Sequence, residues 1–449
     1  MTRRGGGAAS RLALGRRAAL TLPIGLAGCG LFDEWFGDTK APMPGKREAV
    51  IAGQRGLSPE AGVTKVVVPP PVANTSWPQA GGDPTHLMGH LAAQEQLRRA
   101  WNVSIGKGGG YRAKLLAQPV VADGVVYAMD SQAAVSAFDL ASGIRRWHAD
   151  TKDKTDHSTN VGGGLAVEGN TLYAVNGLAE LVAFDKASGR TLWRRTIAAP
   201  ARSVPLLVEG KLFLVTIDDR LLALAADDGR QLWTHSAAGS GPGMLGQPAP
   251  AYADGLVVAG FASGEIAALR VDTGDAAWTD SVASAREQGG LTDISSIRGL
   301  PVIADGRVYV IGLGGLLLTI DLRSGRRLWE RNVAGEDSPW IAGDWLFVIS
   351  TEQQLAAVRR QDGRVAWVIN LPRWKNPKKQ QDAILWFGPV LAGNRLIAVG
   401  TDAEMLSLRP ETGEVTLRQK LDGPAALGPV VAGGTVLIVT DDGRLLAFR

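Results

Sequence analysis

Residues 118–147 read QPVVADGVVYAMDSQAAVSAFDLASGIRRW. "ADG" at 122–124 punctuates a hairpin, and "VVYAMD" beyond it alternates as a half-buried strand does. A second turn runs from Asp139 to Gly143. Asp139 and Ser142 carry oxygens able to bond turn amides, and Gly143 supplies the positive φ that a side chain would resist. Trp147 follows four residues later, on an outer strand.

The unit recurs. "LAVEGNTLYAVNGLAELVAFDKASGRTLW" ends at Trp193, and later copies end at Trp233, Trp278, Trp329 and Trp367. "SLRPETGEVTL" puts Leu417 at the tryptophan position, and Trp101 in "RRAWNVSIG" joins the set. These eight positions have a mean spacing of about 45 residues, the length of a four-stranded propeller blade. Such periodicity assigns the seven tryptophans to packing, each ring filling the wedge between blades while its indole N–H finds a partner. After Leu417 the chain supplies three strands and no outer one, whereas the segment around Trp101 is an outer strand with no blade before it. Joined, they complete an eighth blade and remove exposed sheet edges. The expected fold is all-β: an eight-bladed propeller of four-stranded antiparallel blades, the last closed by the N-terminal strand.

Upstream, Arg3, Arg4, Arg11, Arg16 and Arg17 precede the short apolar run "AALTLPIGLAG", a leader too short to span a bilayer as a helix. Leu26, Ala27 and Gly28 before Cys29 resemble the lipobox of bacterial lipoprotein signal peptides, in which the cysteine becomes the lipidated first mature residue. Loss of the five leader arginines leaves 43 Lys+Arg against 44 Asp+Glu, so the net +4 of the whole chain gives no warrant for a nucleic-acid surface. Cys29 is the chain's only cysteine, and no disulfide is expected. The expected division is a signal peptide over 1–28, lipidated Cys29 with a flexible Pro/Gly-rich tether over 29–76, and the propeller over 77–449.

The recurring turn, D-x-x-[ST/D]-G-x-x-x-W, resembles the tryptophan-docking motif of pyrroloquinoline-quinone-type propellers, which two families share. Quinoprotein dehydrogenases carry calcium ligands and commonly a cysteine pair; this chain has no second cysteine and no assignable Glu/Asn/Asp set. The BamB family of outer-membrane assembly lipoproteins fits nearly the whole chain: lipobox, tether, eight docking blades, and a lead-in "WPQAGGDPTHLMGH" like that of α-proteobacterial members. Gly30 stands where an aspartate would retain a lipoprotein at the inner membrane of enteric bacteria, so the outer membrane is the expected location.

That resemblance implies a non-catalytic scaffold without cofactor. It implies docking on the periplasmic POTRA domains of BamA, membrane attachment through the lipid, and help for nascent barrel proteins. In the family the docking surface uses a loop with two aspartates, matched here by Leu291 and Asp293 in "LTDIS", with Ser295 in place of the second. An apolar-x-apolar-Arg stretch of the preceding interblade loop aligns with "PGML", where Met244 keeps the apolar character and Leu245 replaces arginine. Arg298 or Arg286 is a neighbouring source of that charge. A periplasmic propeller binding a small ligand or peptidoglycan is the alternative, since fold does not fix function.

Loop lengths point to the same face. Trp278 to Pro301 and Trp367 to Pro389 are the long connections, and the second carries Arg373, Lys375, Lys378 and Lys379 around Trp374, read as a solvated loop. His86 and His90 have i, i+4 spacing but no third ligand, so no metal is expected. "GKGGGYRAK" at 106–114 lacks phosphate-loop order and reads as an interblade loop.

Overall fold

The computed structural model describes residues 56–110, 113–152, 163–201, 203–238, 248–282 and 296–449. Seven consecutive four-stranded antiparallel sheets occupy 120–150, 163–196, 206–236, 251–281, 302–332, 340–370 and 386–420. They are blades one to seven. The eighth joins Val430–Ala432, Thr435–Thr440 and Arg444–Phe448 to Arg99–Ser104, which pairs antiparallel with Arg444–Phe448. The ring closes as the sequence requires, and all regular structure among the described residues is β.

One expectation is corrected. The second strands are not half-buried: all five residues of Val125–Met129 are buried, and so are Ala134 to Phe138 of the third strand beside it. Each blade is sandwiched between two others, so both faces of its middle strands meet apolar neighbours. The outer strands are the exposed ones, as in Arg145–Asp150.

The tryptophans dock between blades. Opposite Trp147, Trp193, Trp233, Trp278 and Trp367 the third strand carries Ala137, Ala183, Ala223, Ala268 and Ala357, and each pair is followed by a register shift. The small partner and the bulge leave room for the ring. The indole N–H then donates to a carbonyl in the turn between the next blade's third and fourth strands: Trp101 to Leu140 at 3.0 Å, Trp147 to Lys186 at 3.0 Å, Trp329 to Arg360 at 2.8 Å. In the turn itself Asp139 Oδ1 accepts from the Ser142 amide and hydroxyl, both at 2.9 Å, and Gly143 has φ +74°. Leu417 breaks the pattern for a topological reason. The blade after it takes its fourth strand from the other end of the chain, so it has no third-to-fourth turn to receive a ring.

Candidate partner-binding face and central channel

The innermost strand of each blade leaves one edge unpaired around the central channel, and buried backbone groups need partners. Residues 72–92 supply them in order around the ring. Asn74 Nδ2 donates to Val431 O (2.7 Å) and its carbonyl accepts from Gly433. Trp77 exchanges both backbone bonds with Val121 at 2.8 Å. The carbonyl of Pro78 then takes Val167 N–H, and Gln79 Oε1 takes Leu207 N–H. Pro84 O takes Tyr252 N–H, Thr85 O takes Ile303 N–H, and Gly89 O takes the Trp340 indole. Leu91 pairs with Leu391 and Gly393. The ends meet, Val72 N–H donating to His90 O and Ala92 N–H to Val72 O. The lead-in is thus a closed belt inside the propeller, touching all eight blades.

Residues 56–71 reach this belt across blade six rather than hanging free. Glu60 pairs with Arg331 and lies 3.6 Å from Arg364 Nε, its amide donates to Val365 O, and Val66 is buried beside Trp345 and Trp386. Pro69 lies against the first turn of blade six at Gly343. The composition that reads as tether therefore includes a segment fixed on the propeller.

In an antiparallel four-stranded blade the first and third turns share one face, and the interblade connections leave from the other. Two adjacent cavities lie on the interblade side of the belt. The inner one, about 70 Å³, is floored by Trp77, Gly81 and His86 and walled by residues just ahead of inner strands, including Gln118, Leu300 and Pro389. The outer one, about 150 Å³, shares Gln118, Leu300 and Asp337 and reaches Arg298 and Phe387. His86 Nδ1 meets Pro301 O at 2.7 Å, so it carries the proton; burial lowers the imidazole pKa, and Nε2 remains a bare acceptor with no partner. Trp77 Nε1 is equally buried and unpartnered, its ring stacked on Trp340 at 6.5 Å. Asp337 accepts from Gly388 N–H at 3.0 Å, and desolvation in the channel wall pushes its carboxyl up to about 7.

The residues assigned from sequence distribute unevenly. Met244 and Leu245, and Leu291, Asp293 and Ser295 with Arg286, lie outside the described residues, as does Cys29. Their two connections join blades three to four and four to five, so they leave adjacent blades. Both ends of the second are pinned. Arg327 grips Asp280 with two bonds at 2.8 and 2.7 Å, which hold its guanidinium above the usual basicity, and Arg298 pairs with Glu336. Arg298 is therefore a braced cation at the channel rim, not a free one. The basic connection after Trp367 is a hairpin instead of an open loop: Trp374–Asn376 pairs with Gln381–Ala383, with Ile384 buried beneath and Lys375, Lys378 and Lys379 exposed. Gln380 in its turn and Asp382 in its second strand adopt positive φ, which their local sequence does not advertise.

His86 and His90 are belt residues rather than helical ligands; His90 Nδ1 meets Pro69 O at 2.6 Å and its Nε2 accepts from Asn394 N–H. Among the described residues no group of three or more His, Cys, Asp or Glu side chains could hold a metal ion. Sequence reading missed the belt, Trp77, His86 and Asp337 as channel groups. The available signal was Trp77 itself, which falls outside the blade period.

The family described as outer membrane protein assembly factor BamB matches residues 150–369 and 372–449. The outer membrane protein assembly factor BamB of Burkholderia pseudomallei is 29% identical over 362 residues, covering 79% of this chain and 88% of that protein. BamB of Moraxella catarrhalis superposes with TM-score 0.67 at 19% identity, covering 79% of this chain and 100% of that one. The quinohemoprotein alcohol dehydrogenase of Comamonas testosteroni gives 0.64 at 14% identity, covering 83% of this chain and 80% of that one, a likeness of fold alone. With about two thirds of its length matched by that family's model, the chain belongs to the BamB family of outer membrane protein assembly factors.

Proposed function

We propose that this protein is a non-catalytic scaffold subunit of the outer-membrane β-barrel assembly complex, docking on the POTRA domains of BamA and aiding insertion of nascent barrel proteins. Family membership over most of the chain carries the reading. The docking surface is the interblade face, formed by the adjacent connections holding Met244 and Leu245 and holding Leu291, Asp293 and Ser295. The clamped pairs Asp280–Arg327 and Arg298–Glu336 support it, because a rigid base lowers the ordering cost of binding.

Anchoring follows from Cys29. Acylated there, the chain sits on the periplasmic face of the outer membrane, and the 26 residues from 30 to 55 set an upper limit of about 90 Å on its distance from the propeller.

The test is co-purification with BamA from a detergent extract. BamA is expected with the wild-type chain and is depleted with Met244→Asp or Asp293→Ala, since a few residues carry most of an interface. Recovery of other complex members without BamA would overturn the docking reading. Intact mass of the extracted protein decides acylation at Cys29.

A further inference from the structure

The hairpin between blades six and seven carries a charge excess that neither blade packing nor the proposed BamA contact uses. Arg373, Lys375, Lys378 and Lys379 are all exposed, and Asp382 is the one acid between Leu371 and Phe387. Beneath the hairpin, Asp402 lies within electrostatic range of Lys375, and Glu404 is already engaged by Arg418. The connection one blade earlier has the opposite sign, with Glu336 and Asp337. The excess is therefore local, on a chain whose charges nearly balance once the leader arginines are set aside.

These cations stand on a fixed base. Trp386 donates its indole N–H to Pro372 O at 2.8 Å, Ile384 N–H donates to Arg373 O at 2.8 Å, and Leu385 N–H donates to Thr401 Oγ1 at 3.0 Å. The last bond ties the hairpin to the turn between the second and third strands of blade seven. Apolar surface is set among the charges: Trp374 is half-buried where the hairpin begins, and Leu385 is 44% exposed where it ends. Lysines along a two-stranded ribbon also discourage addition of a further strand.

Cations beside an indole and an exposed leucine match an anionic phospholipid surface, where headgroups take the charge and the interface takes the apolar side chains. The course of the chain points the same way. Glu60 N–H donates to Val365 O, on the strand Val365–Asn370 that leads into the hairpin at Trp374. The segment that follows Cys29 in sequence thus meets the folded body on the strand that carries the hairpin. A lipid anchor combined with a polybasic patch holds a protein at a surface more firmly than one acyl chain alone.

We infer that the hairpin is a second membrane contact, resting on anionic phospholipid headgroups through Arg373, Lys375, Lys378 and Lys379. The inference rests on the anchoring reading only for which membrane is met. The connections holding Met244 and Asp293 join blades three to five, so this contact and BamA docking use different blades.

The test reconstitutes the full chain with vesicles of phosphatidylcholine alone and with vesicles that also contain phosphatidylglycerol, and follows hydrogen exchange by mass spectrometry. Amides of 374–383 are expected to exchange at least about threefold more slowly on the anionic vesicles, and added salt is expected to reverse the slowing. Lys375→Glu, Lys378→Glu and Lys379→Glu combined are expected to abolish it, whereas Arg190→Glu, on an exposed turn of blade two, leaves it intact. Melting temperatures establish that both variants are folded. An acylated chain floats with both kinds of vesicle and an unacylated one with the anionic kind alone, so failure at Cys29 is distinguishable from failure of the hairpin. Unchanged exchange on anionic vesicles, equal slowing on both kinds, slowing retained in the lysine variant, or slowing that requires BamA overturns the inference.

Discussion

Trp278 lies flat against Gly325: a Cβ added to that glycine would stand 2.6 Å from the tryptophan Cβ, and the indole N–H donates at 2.7 Å to Leu322 in the same turn. Gly325 also has φ +71°, so two constraints exclude a side chain there. Gly325→Ala is expected to cost about 2–4 kcal/mol through backbone strain and overpacking. Trp278→Ala is expected to cost about 3 kcal/mol or more. Leu417→Ala, at the position with no docking turn and 48% exposed, is expected to cost under about 1 kcal/mol. Urea unfolding measures all three, and equal losses at Trp278 and Leu417 would refute the docking account.

The belt links distant blades, so weakening it acts on all of them. Trp77→Ala removes a fully buried ring and is expected to cost about 3–5 kcal/mol. Hydrogen exchange is expected to rise together at Val121, Val167, Tyr252 and Ile303, whose amides donate to belt carbonyls. Faster exchange at Val121 alone would show that the belt binds blade by blade.

Glu60 tests whether residues 56–71 belong to the folded body. Its partner Arg331 is only 6% exposed, and removing one member of a buried pair leaves an uncompensated charge. Glu60→Ala is expected to destabilise by about 3 kcal/mol and to open the 56–71 segment to limited proteolysis. Wild-type stability in this variant would return the segment to the tether.

Asp337 sets a pH dependence of known sign. Its folded pKa of about 7 lies above the 3.8 of the free side chain, so the folded protein holds the proton more tightly. This contribution to stability is full below pH 3.8 and is lost as pH rises toward 7. Asp337→Asn keeps an acceptor for Gly388 without ionising. It is expected to raise the unfolding free energy at pH 8 more than at pH 5, by an amount on the order of 1–3 kcal/mol, read from urea unfolding at the two pH values. A pH-independent difference between variant and wild type would reject the assignment.

The blade pattern was legible because it is local: the Asp139 to Gly143 turn and Trp147 lie within nine residues, and their chemistry repeats at a fixed period. Even the closure by Trp101 could be read, since the repeat leaves three strands at one end and one at the other. Burial of the middle strands was misjudged because it depends on neighbouring blades, which alternation along one strand does not report.

The sequence by itself determined the repeat, the blade number, the ring closure and the family resemblance. Only the tertiary structure decided that 72–92 forms an ordered belt, that 56–71 is fixed to blade six, and that Trp77, His86 and Asp337 share the channel. The reason is the range of the contacts. Belt residues such as Pro84 and Thr85 bond inner strands more than 160 residues away at Tyr252 and Ile303, through backbone groups every residue possesses. A backbone bond of that kind leaves no mark on side-chain pattern, whereas a tryptophan meeting a glycine does.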